Sequence, residues 1–264
     1  MGTTEKETDV TEDNVSRFET SMRSYLGGRI SRARLLAGMG AGLALAAAPS
    51  IAGAQTPTTE SVQDIINIAD TAEHLAVTLL TGAVQSAAAL GLSGLTLEIV
   101  QAALAEEQYH ADFLESAGAK TLTDTFNVPD PRILTNFTTF FLTVEELETA
   151  FIAAYIRAAY EFSAMNNAQL AQYAMEIGGV EAEHRALART ALALNGTDND
   201  PPNNLAFESD LFTSVADAAK ALETLGFIGG TGTVVTYPGR GAALSAAGAM
   251  ASAVTNQKPQ TPGS

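Results

Sequence analysis

The sequence contains Ala105-Glu106-Glu107-Gln108-Tyr109-His110, and a second stretch, Val180-Glu181-Ala182-Glu183-His184, repeats its Glu-x-x-His. Residues three apart on an α-helix share a face, with Cβ atoms about 5–6 Å apart. Glu107 with His110, and Glu181 with His184, could therefore each offer one metal ion an oxygen and a nitrogen. Each pair is preceded by a lone glutamate at hairpin distance: Glu73 stands 34 residues before Glu107, and Glu148 stands 33 before Glu181. A helix of about 28 residues, a short turn and an antiparallel helix return the chain to the same height after roughly 30–35 residues. Two such hairpins predict an all-α four-helix bundle with six candidate ligands in its interior.

The flanking sequence supports four long helices. From Ser61 to about Leu90, Ile65, Ile68, Leu75, Leu79 and Ala83 recur near helical period, and no proline interrupts them. Gly91 to Gly94 should turn the chain into a second helix, from about Leu95 to Ala117, whose apolar face includes Leu97, Val100, Leu104 and Leu114 and which Gly118 should stop. Residues 118 to about 140 break the pattern with Thr123, Asn127, Pro129, Asp130 and Pro131, so we expect one long crossover between helices two and three. Helix three is expected from about Thr143 to Ala164, with Thr143 and Glu146 as a capping box. Asn166-Asn167 marks the next turn, and helix four should run from about Ala168 to Leu194. Gly178-Gly179 inside it costs about 1 kcal/mol per glycine relative to alanine, which argues for a close helix approach just before Glu181. A short C-terminal helix is expected from about Ser214 to Leu225, then a Gly/Ala/Ser-rich flexible tail over 229–264.

The N-terminal part reads differently. Residues 1 to 30 are polar and of mixed charge, which predicts disorder. Ser31-Arg32-Ala33-Arg34-Leu35-Leu36 then leads into a Gly/Ala/Leu run to about Ala48 and on to Ala52-Gly53-Ala54. The order of basic, apolar and small-residue segments is that of an export signal cleaved after Ala54. It resembles a twin-arginine signal, except that Ala33 separates the two arginines. The alternative, an anchor over residues 35–54, is disfavoured because a span needs about 20 strongly apolar residues. We therefore expect an exported, periplasmic or otherwise extracytoplasmic protein, with 1–54 removed and the bundle domain with its C-terminal extension over 55–228.

The 264 residues carry a formal charge of −16 and no cysteine. The acidity excludes a basic nucleic-acid-binding surface, and it stays at −16 without residues 1–54, which hold six basic and six acidic residues. Lack of cysteine removes disulfides, thiolate metal sites and cysteine nucleophiles. There is no phosphate-binding Gly-rich loop and no Gly-x-Ser-x-Gly elbow. Two of the three histidines fall in the Glu-x-x-His pairs. The third, His74, points about 100° around the helix axis from Glu73 and is read as a neighbour of the site or a surface residue. Tyr109 and Tyr155 are assigned no catalytic role. Glu106, Glu161 and Glu183 are alternative ligands, read by default as solvated or salt-bridged carboxylates.

In this order, Glu73, Glu107-x-x-His110, Glu148, Glu181-x-x-His184 resembles the di-metal carboxylate proteins of the ferritin-like superfamily. Phe126-Asn127-Val128-Pro129-Asp130-Pro131, Ala153-Ala154-Tyr155 and Val180-Glu181-Ala182-Glu183-His184-Arg185 look like the exported bacterial branch related to plant desiccation-related proteins. The resemblance covers about residues 60 to 228. It implies one ion held by Glu73, Glu107 and His110, a second by Glu148, Glu181 and His184, and bridging by Glu107 and Glu181. Carboxylate and imidazole donors suit two iron ions or, alternatively, two manganese ions. Dioxygen or peroxide is the implied reactant, any electron donor must be a separate protein, and a homo-oligomer is compatible. The implied activity is ferrous-iron oxidation or peroxide disposal. Manganese catalase and a non-enzymatic, desiccation-related structural protein are the alternatives.

Overall fold

The computed structural model describes residues 60–197 and 200–260. The expected export segment, 1–54, lies outside the described residues. The first bundle helix, α1 (Val62–Gln85), starts at a capping box: Ser61 Oγ accepts from the Asp64 N–H at 3.1 Å, and the Asp64 carboxylate accepts from the Ser61 N–H at 3.2 Å. The helical run expected to reach Leu90 is interrupted once, at Ser86, and resumes as the single turn α2 (Ala87–Leu90), which Gly91 ends at φ 70°. The second bundle helix is α3 (Gly94–Ser116), and Gly118, at φ 95°, follows it as the sequence suggested.

The third bundle helix, α4 (Phe137–Ala164), begins six residues before the expected start at Thr143. Its cap is Asn136, whose side chain accepts from the Thr139 N–H at 2.9 Å. Thr143 is buried inside the helix and its hydroxyl donates back to the Thr139 carbonyl at 2.8 Å, so the Thr143/Glu146 capping box does not exist. The threonines at 138 and 139 weaken a local helix reading, but burial of Phe140 and Phe141 outweighs that, each worth about 1.5–3 kcal/mol. The fourth, α5 (Ala168–Leu194), follows a turn in which Asn166 takes φ 59° and Asn167 caps the helix by accepting from the Leu170 N–H. The expected C-terminal helix is α6 (Val215–Thr224), capped by Ser214.

Helix α1 packs with α3, and α4 with α5. One apolar cluster joins Val77, Leu80, Val100, Leu104, Phe140, Phe141, Ala188 and Leu192. A second joins Ile65, Ile66, Leu114, Tyr155, Phe162, Ala174 and Ile177. The C-terminal half of α1 thus meets the N-terminal halves of α3 and α4, so α3 and α4 run parallel. Their connection must travel the length of the bundle, which gives the crossover its physical reason.

That crossover is more structured than expected. It contains β1 (Thr125–Val128) and a single 3-10 turn (Pro131–Leu134). Its partner lies in the segment from Gly229 that the sequence suggested was a flexible tail. There, β2 (Thr233–Thr236) pairs antiparallel with β1, Phe126 opposite Val235, and α7 (Arg240–Ala247) and α8 (Met250–Ala253) pack on α3. Ala243 and Ala247 are wholly buried in the same cluster as Leu104 and Phe140. Small residues that look like linker composition are here the means of close packing.

Candidate metal centre

The two apolar clusters leave a polar layer between them, at mid-height of the bundle. Helix α1 contributes Glu73, α3 contributes Glu107 and His110, α4 contributes Glu148, and α5 contributes Glu181 and His184. All six sequence-predicted residues converge there, and they form two groups of four: Glu73, Glu107, His110 and Glu181, and Glu107, Glu148, Glu181 and His184. Donor atoms within each group lie within 4.8 Å of one another. Glu107 and Glu181 belong to both groups, which makes them the two positions able to bridge.

The imidazoles face the centre through Nδ1. His110 Nδ1 is 3.3 Å from both Glu107 Oε2 and Glu181 Oε1 and 3.5 Å from Glu73 Oε2. His184 Nδ1 is 3.0 Å from Glu107 Oε1, 3.3 Å from Glu181 Oε2 and 3.8 Å from Glu148 Oε1. The far nitrogen of His184, Nε2, is 2.8 Å from Glu106 Oε2, a carboxylate that fixes the ring as such partners do for metal-bound histidines. Tyr155 donates its hydroxyl to Glu73 Oε1. Gly178 makes that reach possible: a Cβ on it would come within 3.1 Å of Tyr155 Cβ, so α4 and α5 approach closely there. Gly179, by contrast, faces open space.

Burial sets the protonation of the layer. Desolvation, then the charge of Glu107, pushes Glu73 up to about 8. Desolvation and the charges of Glu181 and Glu107 hold Glu148 well above the ordinary carboxylate range. Burial also pushes Glu107 and Glu181 up, but the imidazoles of His110 and His184 beside them outweigh it and leave both below their ordinary value. Burial alone would lower the two imidazoles; the carboxylates of Glu107, Glu181 and Glu73 around it raise His110 well above 6.5, and those of Glu106 and Glu107 do the same for His184. Without ions, the layer thus favours protons on Glu73, Glu148 and the two imidazoles over Glu107 and Glu181.

The donor set fits a pair of metal ions. Glu73 Oε2, Glu107 Oε1, Glu148 Oε2, both oxygens of Glu181 and His184 Nδ1 are shielded from solvent yet lack hydrogen-bond partners. Unsatisfied buried polar atoms cost about 1–3 kcal/mol each, more when charged, and a cation shared among them is the direct compensation.

A family model described as the ferritin-like domain matches residues 61–194, a span that opens at the α1 cap and closes at the end of α5. The chain belongs to the ferritin-like family. The same comparisons found no curated protein and no solved structure that matches it. In this ferritin-like chain, Glu106, Glu161 and Glu183, weighed as alternative ligands, stand outside both donor groups. Glu183 is exposed, and Glu106 serves His184 instead. His74 is buried but turns away from the centre, with Nδ1 2.7 Å from Asp124 Oδ1. Sequence reasoning missed the contact of Tyr155 with Glu73, because no motif spacing links α4 to α1. Among the described residues no helix is long and apolar enough to cross a membrane.

Proposed function

We propose that this ferritin-like protein is exported and holds a non-haem pair of iron or manganese ions between its four bundle helices, for ferrous-iron oxidation or peroxide disposal. The observation that carries the reading is the pair of four-donor groups sharing Glu107 and Glu181, with their orphaned oxygens turned towards one another. Glu73, Glu107 and His110 would hold one ion, and Glu148, Glu181 and His184 the other. Such ions would supply two electrons together to dioxygen or peroxide.

The protein's own contribution is orientation, protonation and access. Glu106 holds the His184 ring and Tyr155 holds Glu73. Glu73 and Glu148 hold their protons more tightly than ordinary carboxylates, and would give them up to bind cations. His110, whose side chain is 13% exposed, lines a groove of about 640 Å³ together with Glu106, Glu176 and Glu183, the opening through which ions would reach the layer. Three carboxylates at a mouth favour entry of cations. No cysteine is present to hold an electron-transfer iron centre, so any electron donor other than ferrous iron or peroxide itself would be a separate protein. Export rests on the order of segments in residues 31–54.

The test is oxygen uptake with ferrous iron, run beside peroxide breakdown with manganese-loaded protein, in wild type and in a Glu107→Ala, Glu181→Ala variant. Turnover in the wild type that disappears in the variant supports the reading. A folded wild-type protein that binds metal but turns over neither substrate would leave the bundle a structural, stress-related role.

A further inference from the structure

One residue past Glu73, His74 leaves the central layer and enters a separate set of donors. Asp70 lies one turn earlier on α1, Glu115 comes from the last turn of α3, and Asp124 comes from the crossover just before β1. His74 Nδ1 lies 2.7 Å from Asp124 Oδ1. With Nδ1 donating its proton to that carboxylate, the ring keeps its lone pair on Nε2, the tautomer that a carboxylate–histidine–metal arrangement requires. Nε2 points at Glu115 Oε1, 3.4 Å away, and Asp70 Oδ1, 4.0 Å away.

Two of these atoms have nothing else to do. Asp70 is fully buried, and Thr121 donates to its Oδ2 only; Oδ1 has no hydrogen-bond partner. His74 is 3% exposed, and its Nε2 has none either. The three potential ligand atoms, one from each residue, lie within 4.8 Å of one another, and neither Asp70 Oδ1 nor His74 Nε2 has a hydrogen-bond partner. The ring is also held in place: Tyr237, just past β2, stacks on it at 3.8 Å with planes 14° apart, and the Tyr237 hydroxyl donates to Gln108 at 2.8 Å. Tyr237 is itself fixed by its N–H, which donates to the Asp124 carbonyl at 2.9 Å. The C-terminal strand therefore positions both the ring and the residue that sets its tautomer.

We infer that Asp70, His74 and Glu115 form a third metal site, mononuclear and independent of the central pair, for a divalent first-row transition ion. The donor set is one imidazole nitrogen and two carboxylate oxygens. That is three protein ligands, and since the Glu115 side chain is 51% exposed, the remaining coordination positions open to water. Ligand distances of about 2.0–2.2 Å require the donors to draw together, and the exposed Glu115 can move freely to do so. Asp124 is a positioning residue, acting through the imidazole.

Cobalt(II) is the probe, because its visible absorption reports coordination. In the full chain carrying Glu107→Ala and Glu181→Ala, which removes the central bridging carboxylates, one cobalt ion per chain should bind and raise the melting temperature. Adding Glu115→Ala, at an exposed position that does not threaten folding, should weaken that binding by roughly tenfold or more, and Asp124→Asn should weaken it by about 10–100-fold. In the wild type, Glu115→Ala should remove one cobalt ion per chain and leave the rest, which separates failure of this site from failure of the central one. Cobalt binding that Glu115→Ala leaves unchanged, or no cobalt in the double variant while it remains folded by circular dichroism, would overturn the inference.

Discussion

At the residue scale, burial and neighbouring charge set how tightly each group of the central layer holds its proton. Glu73, raised to about 8, Glu148, His110 and His184 all bind protons more tightly folded than unfolded. Stability from such groups is present at low pH and is lost as pH rises through their folded values. Glu107 and Glu181 are lowered, so their contribution is present above 4.5 and lost as pH falls. The metal-free protein should therefore melt at progressively lower temperature as pH rises from about 6.5 towards 8 and beyond, whereas metal-saturated protein should become more stable over the same interval; thermal melts across pH, with and without manganese, check both slopes. Near neutral pH, filling the centre should release up to four protons, one each from Glu73, Glu148, His110 and His184. Calorimetric titrations in buffers of different ionisation heat will show the release as buffer-dependent enthalpy. Tyr155→Phe keeps the ring against Gly178 but removes the donor to Glu73, and should cost the metal-free protein about 1–3 kcal/mol in denaturant unfolding.

At the element scale, the legible features were those with a period or a fixed spacing. Helix four was bounded at Ala168 and Leu194 because Asn167 caps it and Asn195-Gly196 ends it, and both signals are local. Glu-x-x-His carried the site for the same reason: helical geometry alone puts the pair on one face. The start of α4 was not legible, since Phe137-Thr138-Thr139-Phe140-Phe141 has weak local preference and becomes helical through burial of its aromatic rings. The pairing of His74 with Asp70 went unread although the two stand four apart on one helix, and Glu115, Asp124 and Tyr237 reach them only through tertiary contacts. The glycine pair separates into two roles that mutation can tell apart. Gly179→Ala faces open space and should stabilise the protein by up to about 1 kcal/mol. Gly178→Val must push against Tyr155 and should destabilise it by about 1–3 kcal/mol. Equal effects at the two positions would mean that the α4–α5 approach is not where Gly178 places it.

At the scale of the whole molecule, the bundle is completed by the C-terminal segment. The strand β2 needs β1, which lies in the crossover, and α7 buries Ala243 and Ala247 against the core formed by α1, α3, α4 and α5. The composition of residues 229–260 hid this, because alanine and glycine carry little hydropathy signal while permitting close approach. Truncation after Gly232 should leave a folded bundle with a melting temperature lowered by several degrees, about 4–8 °C for each kcal/mol in a domain of roughly 100 residues and less in a larger one. It should also weaken cobalt binding at Asp70, His74 and Glu115, since Tyr237 is lost, while central metal content stays the same. The central claim is that two ions lie between Glu107 and Glu181. The most direct measurement is an anomalous-scattering map from a crystal of the protein loaded with manganese. Two peaks are expected within the six-residue layer, each touching both Glu107 and Glu181; a layer with no peak, or with a single ion and Glu73 or Glu148 turned away, would contradict a two-ion centre.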